Sequence, residues 1–132
     1  MAGRFEVRIE GGDLHDGIRF FEPHQEIAGT VTVEADASVE CRSLAVRLIW
    51  HTEGRGDEDK TTVQEIDIYQ GRMEPGYPVQ GAFRFQFPRE PWSFAGHYIS
   101  IIWAIEVNVD VPMGRDLTHR ERIVMRPKGA RG

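Results

Sequence analysis

The longest regular pattern in the sequence is ISIIWAIEVNVDV, residues 99–111. From Ile99 onward, every second residue of this stretch is apolar. Successive side chains of a β-strand point to opposite faces, so a period of two predicts one long strand with a buried face. The same period recurs in six shorter runs, which begin near Phe5, Ile27, Leu44, Thr61, Val79 and Leu117. No segment of ~10 residues carries a persuasive helical stripe.

Turn-forming residues separate these runs, as in Gly11-Gly12-Asp13, Glu74-Pro75-Gly76 and Pro112-Met113-Gly114. Long strands between turns are typical of an all-β fold. They favour a two-sheet antiparallel β-sandwich of the immunoglobulin-like kind, whose sheets cover each other's apolar faces at about 10 Å. The length of 132 residues matches one domain. We therefore expect a single sandwich over residues 1–132, with its core at about 4–126 and a flexible tail at 127–132.

The composition excludes several classes of partner. The formal net charge is −5, so the chain gains little from phosphate neutralisation and no nucleic-acid partner is expected. No run of ~18 apolar residues is present, so no membrane span is expected. The single cysteine, Cys41, favours a reducing compartment, and the first residues lack the apolar core of a signal peptide. These features together predict a cytoplasmic protein.

Three motifs follow one another in a characteristic order. Residues 20–33 read FFEPHQEIAGTVTV, residues 83–96 contain FRFQFP and PWSFAG, and the long strand from Ile99 follows. This order resembles the amino-terminal sandwich of the arrestin-like domains, a group that includes the arrestins, the related retromer subunits and the bacterial sporulation-control proteins. The resemblance covers about residues 4–126 and implies a scaffold or adaptor that binds other proteins. Gly29 within the first motif either relieves crowding or marks a bulge.

The resemblance has a limit. Arrestin-family proteins usually carry two such sandwiches in tandem, and this sequence accommodates one. Their interdomain polar core and carboxy-terminal tail have no counterpart among these residues. Receptor binding and phosphate sensing are therefore not carried over to this chain.

No motif for catalysis or cofactor binding is present. The five histidines are spread over different runs and loops, and none lies in a local catalytic pattern: His15, His24, His51, His97 and His119. We predict no catalytic residue and no cofactor. Cys41 is expected to be structural and to lie on the strand face opposite Leu44 and Val46.

Two acidic segments were weighed as metal sites. Asp13-Leu14-His15-Asp16 and the loop at 53–60 both cluster possible ligands, but neither has the spacing of a zinc site or a calcium loop. We predict no metal-binding residue. The loop at 53–60 is expected to be a solvated hairpin connection, with a weak cation contact as the alternative.

Three surfaces are candidates for protein binding. Arg120, Arg122 and Arg126 share one strand face, which is either the wet face of a sheet, the favoured interpretation, or a surface for an acidic partner. Trp92 and Phe94 lie between strands. If packed over the end of the sandwich they are structural, which we favour, and if exposed they are binding anchors. An open sheet edge is the third candidate.

Self-association is the second hypothesis. Ile102 and Ala104 occupy positions that should face water in a lone sandwich, yet both are apolar. Either loops cover them or they form a patch for a second copy, as in a homodimer. The sequence thus favours a non-catalytic protein-interaction module with an unidentified protein partner. A self-associating structural subunit is the alternative, and an enzyme or weak metal-binding protein is a distant third.

Overall fold

The computed structural model describes residues 3–56 and 58–129. Ten strands make up the regular structure of this part of the chain: β1 (Gly3–Glu10), β2 (Asp13–His15), β3 (Ile18–Phe21), β4 (Glu26–Ala35), β5 (Val39–Gly54), β6 (Lys60–Met73), β7 (Val79–Gln86), β8 (Phe94–Ala95), β9 (Ile99–Asp110) and β10 (Leu117–Met125). The seven predicted runs correspond to β1, β4, β5, β6, β7, β9 and β10. No helix in the described residues is long and apolar enough to cross a bilayer.

The strands form two sheets. The smaller sheet has the order β1-β4-β7, and the larger has the order β2-β3-β10-β9-β5-β6, with β8 paired to β9 beside it. All pairs are antiparallel except β3 and β10, which run parallel over two residue pairs. The predicted all-β two-sheet sandwich is confirmed.

The core lies between the two sheets. Each central strand contributes the residues of one face, including Val31 and Val33 from β4, Val46 from β5, and Trp103 and Ile105 from β9, all at most 1% exposed. The Trp103 indole is polar at one end, and its N–H donates to the Pro91 carbonyl at 2.8 Å. A buried donor is thereby satisfied, and the segment before β8 is fixed to the core.

Gly29 marks a close approach of strands. A Cβ at this position would lie 2.0 Å from the Arg8 carbonyl oxygen and 2.8 Å from the Phe83 ring. The pairing of β4 with β1 and β7 continues through Gly29 without a shift of register. Of the two alternatives for this glycine, relief of crowding is therefore correct, and no bulge occurs there.

Two predicted loops can be compared with the structure. β5 and β6 extend into the acidic segment, so the connection between them is 55–59, of which Asp57 lies outside the described residues. Of the predicted tail, residues 130–132 also lie outside them. Pro127 is half-buried, and the Lys128 amide donates to a Glu22 carboxylate oxygen at 3.3 Å.

Candidate functional site

The segment before β8 is held by two anchors. Pro91 accepts the Trp103 indole N–H, and the Ser93 amide donates to the Met125 carbonyl at 2.7 Å. The Met125 amide in turn donates to the Ser93 hydroxyl at 3.0 Å. The segment also carries two aromatic residues whose side chains are not buried.

These aromatic residues are Trp92 and Phe94. Their exposed fractions are 48% and 46%. The Trp92 indole N–H is satisfied locally by the Arg89 carbonyl at 3.1 Å. Each residue is therefore about half exposed, and neither is fully packed over the end of the sandwich.

An apolar pocket of about 200 Å³ lies next to Phe94. Its walls include Phe20 of β3, Phe94 of β8, Ile102 of β9 and Val124 of β10. Arg122 and Arg126 also line it. Arg122, Val124 and Arg126 are every second residue over the end of β10 and the position that follows it. They therefore share one face of the sheet, and the buried Ile123 and Met125 lie on the other. We call Phe20, Phe94, Ile102, Arg122, Val124 and Arg126 together the arginine-flanked pocket.

The two arginines of the pocket have no acidic partner. Neither Arg122 nor Arg126 forms an ion pair within the described residues. The Arg126 guanidinium lies 5.4 Å from the centre of the Phe20 ring, which holds it at the pocket by a cation–π contact. Two arginines without an ion pair in the described part of the chain therefore border an apolar depression. Carboxylates lie farther out, since Glu121 lines the neighbouring pocket beside Arg122 and Glu22 lines the one beside Arg126.

Arg120, the third arginine of this strand face, has a different environment. Its Nε donates to Glu106 Oε2 at 2.9 Å, and its Nη1 lies 3.2 Å from Glu58 Oε1. Arg120 is thus neutralised by two carboxylates. The prediction that the three arginines share one face is correct, but only Arg122 and Arg126 are available to a partner.

Glu106 is the centre of a cluster on the outer face of the larger sheet. Its side chain is 1% exposed and accepts hydrogen bonds from Lys60 Nζ at 2.8 Å, Arg47 Nη1 at 3.0 Å and Arg120 Nε. Arg47 is also paired with Glu65. These residues come from β5, β6, β9 and β10, so the Glu106 cluster, which we define as Glu106, Arg47, Lys60 and Arg120, joins four strands.

The cluster sets the ionisation of its carboxylate. Burial alone would raise the pKa of Glu106, because the charged form loses its hydration. Hydrogen bonds from Lys60, Arg120 and Arg47 outweigh that effect and hold the pKa of Glu106 below its usual value. Glu106 is therefore ionised at neutral pH, and its role is to neutralise three cations.

The expected apolar patch at Ile102 and Ala104 is not present. These residues are 6% and 1% exposed. β9 lies between β5 and β10, and Ala104 has Ile49 and Arg122 as its cross-strand neighbours. Both positions are therefore buried within one chain, on a strand that is flanked on each side.

Cys41 also differs from expectation. It is 2% exposed and belongs to the same core cluster as Leu44 and Val46. The pairing of β5 with β6 shifts register between Cys41 and Leu44. This bulge inserts an extra residue and places Cys41 on the core face. The prediction that Cys41 lies on the face opposite Leu44 and Val46 is therefore wrong. Burial raises the pKa of the Cys41 thiol.

The candidate metal and catalytic groups are dispersed. Within residues 3–56 and 58–129, no group of three or more His, Cys, Asp or Glu side chains is placed to hold a metal ion. The ring nitrogens of His51 and His119 lie 3.1 Å from Glu53 and 3.3 Å from Glu121. His15 contacts the ring of Phe20 edge-on.

The comparisons with known proteins bear on the fold. No family model and no curated protein sequence matches this chain. The crystal structure of Spo0M, a sporulation control protein from Bacillus subtilis, superimposes with a TM-score of 0.68 at 19% sequence identity, covering 96% of this chain. The chain has an arrestin-like fold. It spans about half of Spo0M, since the match covers 50% of that chain.

The arrestin-like fold was predicted from the order of motifs, and the superposition confirms it. The structure brings Phe94, Ile102, Arg122 and Arg126 of the predicted binding residues together around one pocket. Arg120 belongs instead to the Glu106 cluster, and Trp92 does not line the pocket. Sequence reasoning missed Phe20 and Val124, because only the parallel pairing of β3 with β10 brings them together. It also missed Glu106, whose cross-strand neighbours Arg47 and Arg120 are visible only once the register is known.

Proposed function

We propose that this chain is a non-catalytic protein-interaction module that binds its partner through the arginine-flanked pocket. One observation carries the proposal: Arg122 and Arg126, which form no ion pair within residues 3–56 and 58–129, border an apolar pocket. Binding hot spots combine an apolar anchor in a pocket with surrounding contacts that exclude water, and they are enriched in Trp, Tyr and Arg. Trp92 and Phe94 add exposed aromatic area in the adjoining segment.

The wider setting is consistent with an adaptor. Spo0M is described as a sporulation control protein, and a control protein of similar fold supports a regulatory role for this chain. The buried, unpaired thiol of Cys41 supports a cytoplasmic location, where thiols stay reduced. Both statements belong to the proposal.

Site-specific photo-crosslinking in cells of the source organism tests the proposal. Phe94 is replaced by p-benzoylphenylalanine, and Tyr77, which is 76% exposed in the turn between β6 and β7, serves as the matched control position. We expect a discrete adduct with another protein from position 94 that is absent from position 77. An additional Arg122→Gln change should weaken that adduct.

Two outcomes would contradict the proposal. Adducts of equal yield and identity from both positions would mean that contacts at Phe94 are nonspecific. An adduct of twice the mass of the 15.1 kDa chain, with no other species, would instead identify a self-associating subunit. The mass of the adduct thus separates a foreign partner from a second copy.

A further inference from the structure

The size of the arginine-flanked pocket limits what it can bind. Pockets for small-molecule ligands usually measure about 300–1,000 Å³. The volume here is about 200 Å³, and the walls are mainly Phe20, Phe94, Ile102 and Val124. Such a space accepts one apolar side chain of a larger partner rather than a whole metabolite.

The charges beside the pocket determine which partner residues can flank the apolar side chain that enters it. The chain carries a net charge of −5, and eight of its 16 Lys and Arg side chains form ion pairs with carboxylates among the described residues. Arg122 and Arg126 are unpaired within the described residues. A carboxylate that reaches either guanidinium gains a charge-assisted hydrogen bond without having to displace an existing partner. An acidic partner is therefore complementary to this surface.

The spacing of the arginines specifies the shape of the partner. Arg122, Val124 and Arg126 occupy alternate positions, and a strand advances ~3.4 Å per residue, so the two arginine Cα atoms are ~14 Å apart. Any extended segment has the same advance. A partner running along β10 can therefore place carboxylates opposite both arginines when they are four residues apart, with the residue midway between them over Val124.

We infer that the arginine-flanked pocket recognises an extended acidic segment of another protein in the pattern acid–x–apolar–x–acid. This inference rests on the proposed function and adds the chemistry of the partner. The central apolar side chain enters the pocket, and the two carboxylates pair with Arg122 and Arg126. The cation–π contact with Phe20 keeps the Arg126 guanidinium in place before binding, which lowers the entropy lost on association.

Fluorescence anisotropy with the fluorescein-labelled peptide Ser-Glu-Ser-Leu-Ser-Glu-Ser tests the inference on the full chain. We expect saturable binding that weakens as salt is raised, because the pairs are near the surface. Replacing both Glu residues of the peptide by Gln, or its Leu by Ser, should each weaken binding at least ~10-fold. A peptide of the same composition with adjacent Glu residues, Glu-Glu-Ser-Leu-Ser-Ser-Ser, should bind less tightly than the spaced peptide.

Protein variants assign the contacts. Arg122→Gln and Arg126→Gln should each weaken peptide binding about 5- to 10-fold. Arg115→Gln is the matched control, because it removes the same charge from an exposed position before β10 and should leave binding unchanged. The exposed location of Arg122 means that its variant should fold, and circular dichroism of each variant verifies this.

Several results would overturn the inference. These are no binding of the spaced peptide, equal binding of the Glu and Gln peptides, or a preference for a Glu-free peptide carrying phosphoserine over the Glu peptide. If one of them occurs while Phe94 still crosslinks to a foreign protein, the partner chemistry is wrong and the interaction function stands. If no specific crosslink forms at Phe94, the proposed function fails with it.

Discussion

Replacing Glu106 by Gln should strongly destabilise the sandwich. The carboxylate is 1% exposed and neutralises Arg47, Lys60 and Arg120 at 2.8–3.0 Å. Gln keeps the shape but removes the charge, so three cations would surround a neutral amide. Removing one partner of a buried ion pair costs about 3–5 kcal/mol.

The lower end of that range applies here. The side chains of Arg47, Lys60 and Arg120 are 23%, 34% and 33% exposed, so water partly solvates them after the change. Glu65 and Glu58 also remain beside two of them. We therefore expect a loss of about 3 kcal/mol in the free energy of unfolding, which for a domain of this size lowers Tm by about 10 °C.

Urea unfolding at pH 7, followed by intrinsic tryptophan fluorescence and circular dichroism, measures this loss. Glu65→Gln is the matched control, because Glu65 is 45% exposed and pairs with Arg47 alone. The control should cost less than about 1 kcal/mol. If Glu106→Gln unfolds within about 0.5 kcal/mol of the wild type, the Glu106 cluster is not the stabilising element described here.

Three further outcomes follow from the structure. The pKa of Glu106 is lower in the folded state than in the unfolded state. The ionised carboxylate therefore stabilises the fold above the unfolded-state pKa, and this contribution is lost as pH falls through the folded-state pKa. The free energies of unfolding of wild type and Glu106→Gln, measured in urea from pH 7 to pH 3, should thus converge in acid. In the same unfolding assay, Gly29→Ala should lower the free energy of unfolding by about 3 kcal/mol, because the new Cβ would clash with the Arg8 carbonyl. The control Gly114→Ala, whose new Cβ would have its nearest contact at 3.3 Å, should lower it by less than about 1 kcal/mol. The Cys41 thiol, buried and with a raised pKa, should react with a disulfide reagent at the rate of unfolding, and rapid reaction of the native protein would contradict its place in the core.

The long strands could be predicted because each alternates over many residues. β9 has twelve residues and β5 has sixteen, so the period of two could be read along β9 and over residues 44–50 of β5. β2, β3 and β8 have three, four and two residues, which is too short for a period to be read. Two of these short strands, β3 and β8, contribute Phe20 and Phe94 to the pocket, and this is why the pocket itself was not predicted.

The errors have a common physical cause. Alternation assigns each residue to a face only while the register holds, and the bulge after Cys41 reverses the assignment there. Alternation also says nothing about which strands are neighbours. Ile102 and Ala104 were expected to face water, but they are covered because β9 lies between two other strands.

A titration of the isotope-labelled chain with the peptide Ser-Glu-Ser-Leu-Ser-Glu-Ser, followed by amide chemical shifts, tests the central claim most directly. It locates the bound peptide on the chain without assuming the site. We expect saturable shifts concentrated in β8, at Ile101 and Ile102, and at 122–126. Shifts concentrated instead along the outer strands β1 or β6, or no shifts at saturating peptide, would contradict the claim that the arginine-flanked pocket is the binding surface.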